Sequence, residues 1–143
     1  MVSRAVLRAA PAILFAACGG GLRVVPPGPH PITLQEYIEV EFPPPPARIE
    51  EVHEALEGHD ECAWMDGHHH WQGRWVWIPG KWVIPPDDCY YAPAVVEWSR
   101  DAKLYYTPPR WFRDGAESLP ANRALCPIPR ACAGTPSAGI REP

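Results

Sequence analysis

The chain has little basic charge, and none of it is in blocks. Thirteen Lys and Arg stand against 17 Asp and Glu, for a net charge of −4. That lacks the clustered positive footprint of a nucleic-acid-binding protein. Long apolar runs are also missing. Residues Ala9 to Ala17 form a mostly apolar stretch that is too short to cross a bilayer as a helix. Serine is scarce through the central region, no nucleophile sits in a recognisable turn, and no glycine-rich loop is built to cradle phosphate. Nothing therefore supports nucleophilic catalysis, and the chain reads as a non-enzyme. Uninterrupted helix is scarce for a different reason. Proline occupies 20 of 143 positions, against a usual ~5%, and each interior proline removes a donor and clashes with the preceding turn.

What is present is aromatic. Seven Trp and five Tyr supply large apolar area from few residues, which suits a thin β core in a single domain. The amino-terminal part reads as an export signal spanning residues 1–17. Arg4 and Arg8 precede the apolar stretch, and "LFAAC" resembles a bacterial lipobox ending in Cys18. The expectation is lipidation of Cys18; an ordinary signal peptide with an unrelated cysteine is the alternative. With Cys18 set apart, Cys62, Cys89, Cys126 and Cys132 form an even set, as expected of disulfides in an exported chain.

Residues 18–36 have no sustained period and read as a flexible tether. In "YIEVEF", Ile38, Val40 and Phe42 alternate with Glu39 and Glu41, the period of a half-buried strand. Pro43 to Pro46 form a stiff extended spacer that cannot join a ladder. "ARIEEVHEALEG" fits either a helix ended by Gly58 or a short strand at 48–52, and the β surroundings favour the strand. Residues 113–143 carry no period and read as a loosely ordered tail.

Self-comparison is the most informative step. "DECAW" at 60–64 matches "DDCYY" at 87–91, an offset that Trp71 and Trp98 keep, while Trp82 and Trp111 lie two residues further apart. The repeated units are therefore 62–82 and 89–111, within a module spanning 37–112. A smaller pattern recurs inside them: "WMDGHH", "WIPGKW", "YAPAVV" and "YTPPRW" each place an aromatic ahead of Pro or Asp. These read as local turns, with Pro79 presetting φ and Gly80 supplying a positive φ. Between them "Trp71-Gln72-Gly73-Arg74" reads as a hairpin with a two-residue loop, in which His70 faces Trp75 and His68 faces Trp77. Two such hairpins lying side by side favour a Cys62–Cys89 bridge, with Cys126–Cys132 closing a small loop; free thiols are the alternative.

"WIPGKW", together with the upstream "PPPPARIEEV", resembles the WXXGXW (YXWXGXW) repeat proteins of bacterial envelopes over about residues 42–111. The resemblance implies an exported, often lipid-anchored protein with no catalytic residues to carry over. The expected fold is mostly β, a small tandem β-hairpin module with Pro-rich extended flanks. Gly19 follows Cys18, where lipoproteins kept at the inner membrane carry Asp, so the expected address is the outer membrane. The expected partners are the membrane, through the lipid, and an envelope protein or peptidoglycan.

Two binding alternatives stand beside this structural or interaction role. In a strand, Asp66, His68 and His70 point to one side, and with His59 they could hold Zn²⁺, Cu²⁺ or Ni²⁺. The competing reading has Trp75 and Trp77 stacked on those histidines. Trp71, Trp75, Trp77 and Trp82 could instead form a stacking platform for glycan or for a partner's Pro-rich segment; core and turn packing is the competing reading.

Overall fold

The computed structural model describes residues 22–52, 58–134 and 139–140. The expected signal and the expected anchor at Cys18 lie outside those residues, as do residues 53–57 of the stretch that fits either a helix or a strand. The described chain is mostly β and almost wholly antiparallel. A single 3-10 turn (Ile32–Leu34) precedes β1 (Ile38–Val40), and β2 (Glu50–Glu51) follows the proline run. The first repeat holds β3 (Ala63–Met65), β4 (His68–Trp71), β5 (Trp75–Ile78) and β6 (Lys81–Ile84). The second holds β7 (Cys89–Ala92), β8 (Val95–Trp98), β9 (Leu104–Thr107) and β10 (Arg110–Arg113). A 3-10 turn (Ala116–Ser118), one helical turn (Ala121–Ala124), β11 (Arg130–Ala131) and β12 (Gly139–Ile140) complete the set.

Each repeat is one long hairpin broken across the middle of both arms. In the first, β3 pairs with β6 at the base and β4 with β5 at the tip. In the second, β7 pairs with β10 and β8 with β9. The breaks fall where Asp66-Gly67 lies opposite Pro79-Gly80, and where Pro93-Ala94 lies opposite Pro108-Pro109. This corrects the reading of the four aromatic-Pro/Asp stretches as turns. They are bends inside strands, because proline has no N–H to carry the ladder through. Gly80 is not among the residues with positive φ, so it is not the second residue of a type II turn either.

The first tip also differs from expectation by one residue. Trp71 pairs with Trp75, His70 with Val76, His69 with Trp77 and His68 with Ile78, around a three-residue loop with Gly73 at φ 72°. Gln is a poor first residue for a two-residue type I′ loop, and the extra loop residue removes that demand. Because strand side chains alternate, the slip moves Trp75 and Trp77 off the His68/His70 face and onto the face of His69.

The two hairpins stack face to back. On hairpin one, Trp64 opposes Trp82 on one face, under Cys62 and Cys132. Its other face, Ala63, Met65 and Val83, packs on Tyr91 and Trp111 of hairpin two, beside Cys89 and Cys126. The far face of hairpin two, Ala92 and Phe112, is covered by Ala116 and Ala124. Strand β1 adds to the second tip by pairing with β9, where Val40 joins Leu104 and Tyr106 in a further buried cluster.

Residues 22–36 are not a free tether. Val25 N–H donates to the Trp64 carbonyl at 2.8 Å, and Gly28 N–H to the Tyr91 carbonyl at 2.7 Å, so the segment runs along both hairpins at equivalent positions. The described part of the expected loose tail is ordered as well, and β12 pairs with β2. Leu125 bridges Phe112 and β11 pairs with β6. Cys126 N–H donates to the Trp111 carbonyl, and Cys132 N–H to the Trp82 carbonyl. Each hairpin thus receives a strand-like cap ending in cysteine.

These caps decide the disulfides. The bridges are Cys62–Cys132 and Cys89–Cys126, with Cα separations of 6.2 and 6.4 Å. The Cys62–Cys89 pairing expected from the repeat is incorrect. Stacked sheets place equivalent residues ~10 Å apart, beyond the ~7 Å reach of a disulfide.

Candidate functional site

The break in hairpin one is closed by Glu50. Its Oε1 accepts from the Gly80 N–H and the Trp77 indole N–H, both at 2.9 Å, and its Oε2 accepts from the Gly67 N–H at 3.1 Å. A break leaves backbone donors without ladder partners, and such groups need acceptors when they are partly buried. One carboxylate supplies them on both arms. The glycines are set by this approach. A Cβ on Gly80 would lie 2.5 Å from the Trp64 ring and 2.6 Å from Glu50 Oε2, and one on Gly67 would lie 2.6 Å from both Glu50 Oε1 and the Trp77 ring. The Gly of "WIPGKW" is therefore required for space. Hairpin two has Ala94 and Pro109 at the equivalent places.

The segment leading to Glu50 lies over the first tip. Phe42 meets Trp71 edge to face at 5.4 Å, and its carbonyl accepts from the Trp75 indole at 2.9 Å. His69 Nε2 donates to the Pro46 carbonyl at 3.3 Å, and its ring packs on Trp77 at 4.8 Å. The expected aromatic platform is thus already covered by the chain's own proline-rich segment. Trp71, Trp75 and Trp77 are half-buried, and Trp82 is in the core at 3% exposure. The platform residues do not form one exposed row. The most exposed tryptophan of the described chain is Trp98, the repeat equivalent of Trp71, at 65%.

The expected metal ligands are not brought together as a set. Asp66 Oδ1 accepts from the Trp64 indole at 2.8 Å, and His70 Nδ1 is hydrogen-bonded to the Tyr106 hydroxyl at 2.9 Å. His59 sits with Glu61. Among the described residues, the ligand atoms that do converge belong to His59, Glu61 and Cys62. The Cys62 sulfur is held in its disulfide, which removes the thiolate that metal binding requires.

Of that group, Asp66 and His70 each line one cleft between the hairpins, and His68 lines three. Its Nδ1 is buried without a hydrogen-bond partner. Burial, and then the neighbouring His70, hold its pKa below the ordinary histidine value. One of the three clefts has a volume of about 310 Å³. Its walls are Met65, His68 and Lys81 of hairpin one and Tyr91, Arg110 and Trp111 of hairpin two, and the 125–129 connection forms its roof.

Sequence reasoning missed Glu50 and this cleft. Glu50 had a signal in the charged strand after the proline run, but its partners are 17 and 30 residues away. Lys81 and Arg110 had one in the repeat, where they are equivalent.

No family model, no curated protein and no solved structure matches the chain.

Proposed function

We propose that the chain is a non-catalytic envelope protein, anchored by lipid at Cys18 and exported to the outer membrane, with a structural or interaction role carried by hairpins of the WXXGXW kind. The observation that carries this reading is the pairing of the cysteines. All four that follow Cys18 are joined in two bridges, which suits an oxidising compartment and leaves Cys18 as the odd residue, directly after an apolar stretch. The tryptophans fit the same reading. They pack on one another and on Phe42, which makes a small core from a chain with few aliphatic residues. An envelope protein or peptidoglycan is the partner class that suits such a module.

The test is an intact mass of the protein extracted from its own envelope, measured without reduction and again after it. The expected result is a chain beginning at Cys18, carrying lipid mass and gaining four hydrogens on reduction. A full-length, unmodified chain with free thiols overturns the proposal.

A further inference from the structure

The cleft between the hairpins is unusual in its charge. The chain holds 17 acidic side chains, yet none lines this cleft. Lys81 and Arg110 do, from equivalent positions of the two repeats. Arg110 is held in an ion pair by Glu36, outside the cleft lining. Lys81 has no acidic counterion among the described residues. Between the two cations the walls are apolar and aromatic: Met65, Tyr91 and Trp111, with Ile128 at the roof, 85% exposed. A volume of about 310 Å³ is at the small end of ordinary ligand sites, ~300–1,000 Å³.

This combination selects one chemical class. A lone cation beside apolar walls favours a single negative charge over a neutral or multiply charged ligand, and a charged partner strengthens each hydrogen bond it makes. The aromatic pair favours a flat or branched apolar body. We infer that the cleft between the hairpins is a binding site for a small organic monocarboxylate, its carboxylate on Lys81 and its apolar body against the cleft wall under the exposed Leu125 and Ile128. The site belongs to the folded module and does not depend on an anchor at Cys18.

The experiment is calorimetric titration of the oxidised, full chain with 2-naphthoate and, in parallel, with the neutral 2-naphthalenemethanol. The acid binds saturably, and the alcohol binds at least roughly tenfold more weakly, because it lacks the charge that Lys81 meets. Lys81→Met keeps the stem and removes the charge, and lowers naphthoate affinity by a similar factor. Ile128→Asp, at an exposed rim position that cannot disturb the core, sets a like charge at the roof and also weakens binding. Lys103→Met, at a lysine paired with Glu39 on the other hairpin's tip, leaves it unchanged. Equal affinity for acid and alcohol overturns the inference. So does full affinity in a folded Lys81→Met variant, or no saturable binding by the parent chain.

Discussion

At the residue scale the molecule turns on Glu50. Its carboxylate is the shared acceptor for three N–H groups, two from backbone at the break and one from Trp77. Replacing Glu50 by Ala strands those donors, and the expected loss is about 1.5–3 kcal/mol. Urea unfolding of the variant beside the parent measures it, and an unchanged midpoint would show that solvent replaces the carboxylate at no cost. The glycines separate two mechanisms. Gly80→Ala forces a methyl to within 2.5 Å of Trp64, in a buried contact that must shift, at an expected cost of about 1–3 kcal/mol. Gly73→Ala meets nothing within 4 Å and is charged only for its positive φ, about 1 kcal/mol. The order of the two thermal midpoints checks this contrast. The conspicuous glycines and tryptophans were legible in the sequence. Glu50 was not, because a lone glutamate in a charged stretch looks solvated until the chain brings the break to it.

At the element scale the hairpins were legible and their registers were not. The offsets of 27 and 29 match the observed ladders, since Trp64/Trp82 and Tyr91/Trp111 occupy equivalent rungs. The loop at Gln72-Gly73-Arg74 is longer by one residue than its sequence suggested, and a slip of one reverses which side chains share a face. The caps are the other element that escaped notice. Leu125-Cys126 and Ala131-Cys132 each add a short edge to a hairpin, and two or three residues without a period leave no trace in sequence. Their bridges close spans of 70 and 37 residues, so each should contribute about 4 kcal/mol through the unfolded chain. The double variants Cys62→Ala/Cys132→Ala and Cys89→Ala/Cys126→Ala should each lose roughly that much in denaturant unfolding. A loss confined to one of them would mean that the other cap holds without its bridge.

At the scale of the whole molecule the stacked hairpins set the response to pH. Burial pushes the phenols of Tyr91 and Tyr106 up to about 12. Between their ordinary value of 10.0 and 12 the folded chain holds protons that the unfolded chain has lost, so stability is present below pH 10 and falls as pH rises above it. Absorbance at tyrosinate wavelengths should show Tyr91 and Tyr106 ionising late, together with unfolding, and burial pushes Tyr90 up as well. His68 acts in the opposite direction. Its pKa is lowered by burial, then by His70 and His69, with the Asp66 backbone and Glu50 opposing. The unfolded chain then binds the extra proton first, so stability is full above the ordinary value of 6.5 and falls as pH drops below it. Unfolding midpoints from pH 7.5 to 5, with His68→Gln as comparison, check the sign: the parent should lose more stability than the variant.

The sequence by itself determined the class of the protein. Proline at the bends, aromatics at a repeated spacing and an even set of cysteines after Cys18 commit the chain to short β hairpins closed by bridges, because each is a local or counting property. Tertiary structure decided the rest. It chose which cysteines meet, since stacking separates the equivalent pair and the caps supply nearer partners. It covered Trp71 and Trp75 by laying Phe42 across them. It also gathered Lys81, His68, Tyr91 and Trp111 around one cleft, a juxtaposition that exists only once the two repeats lie face to back.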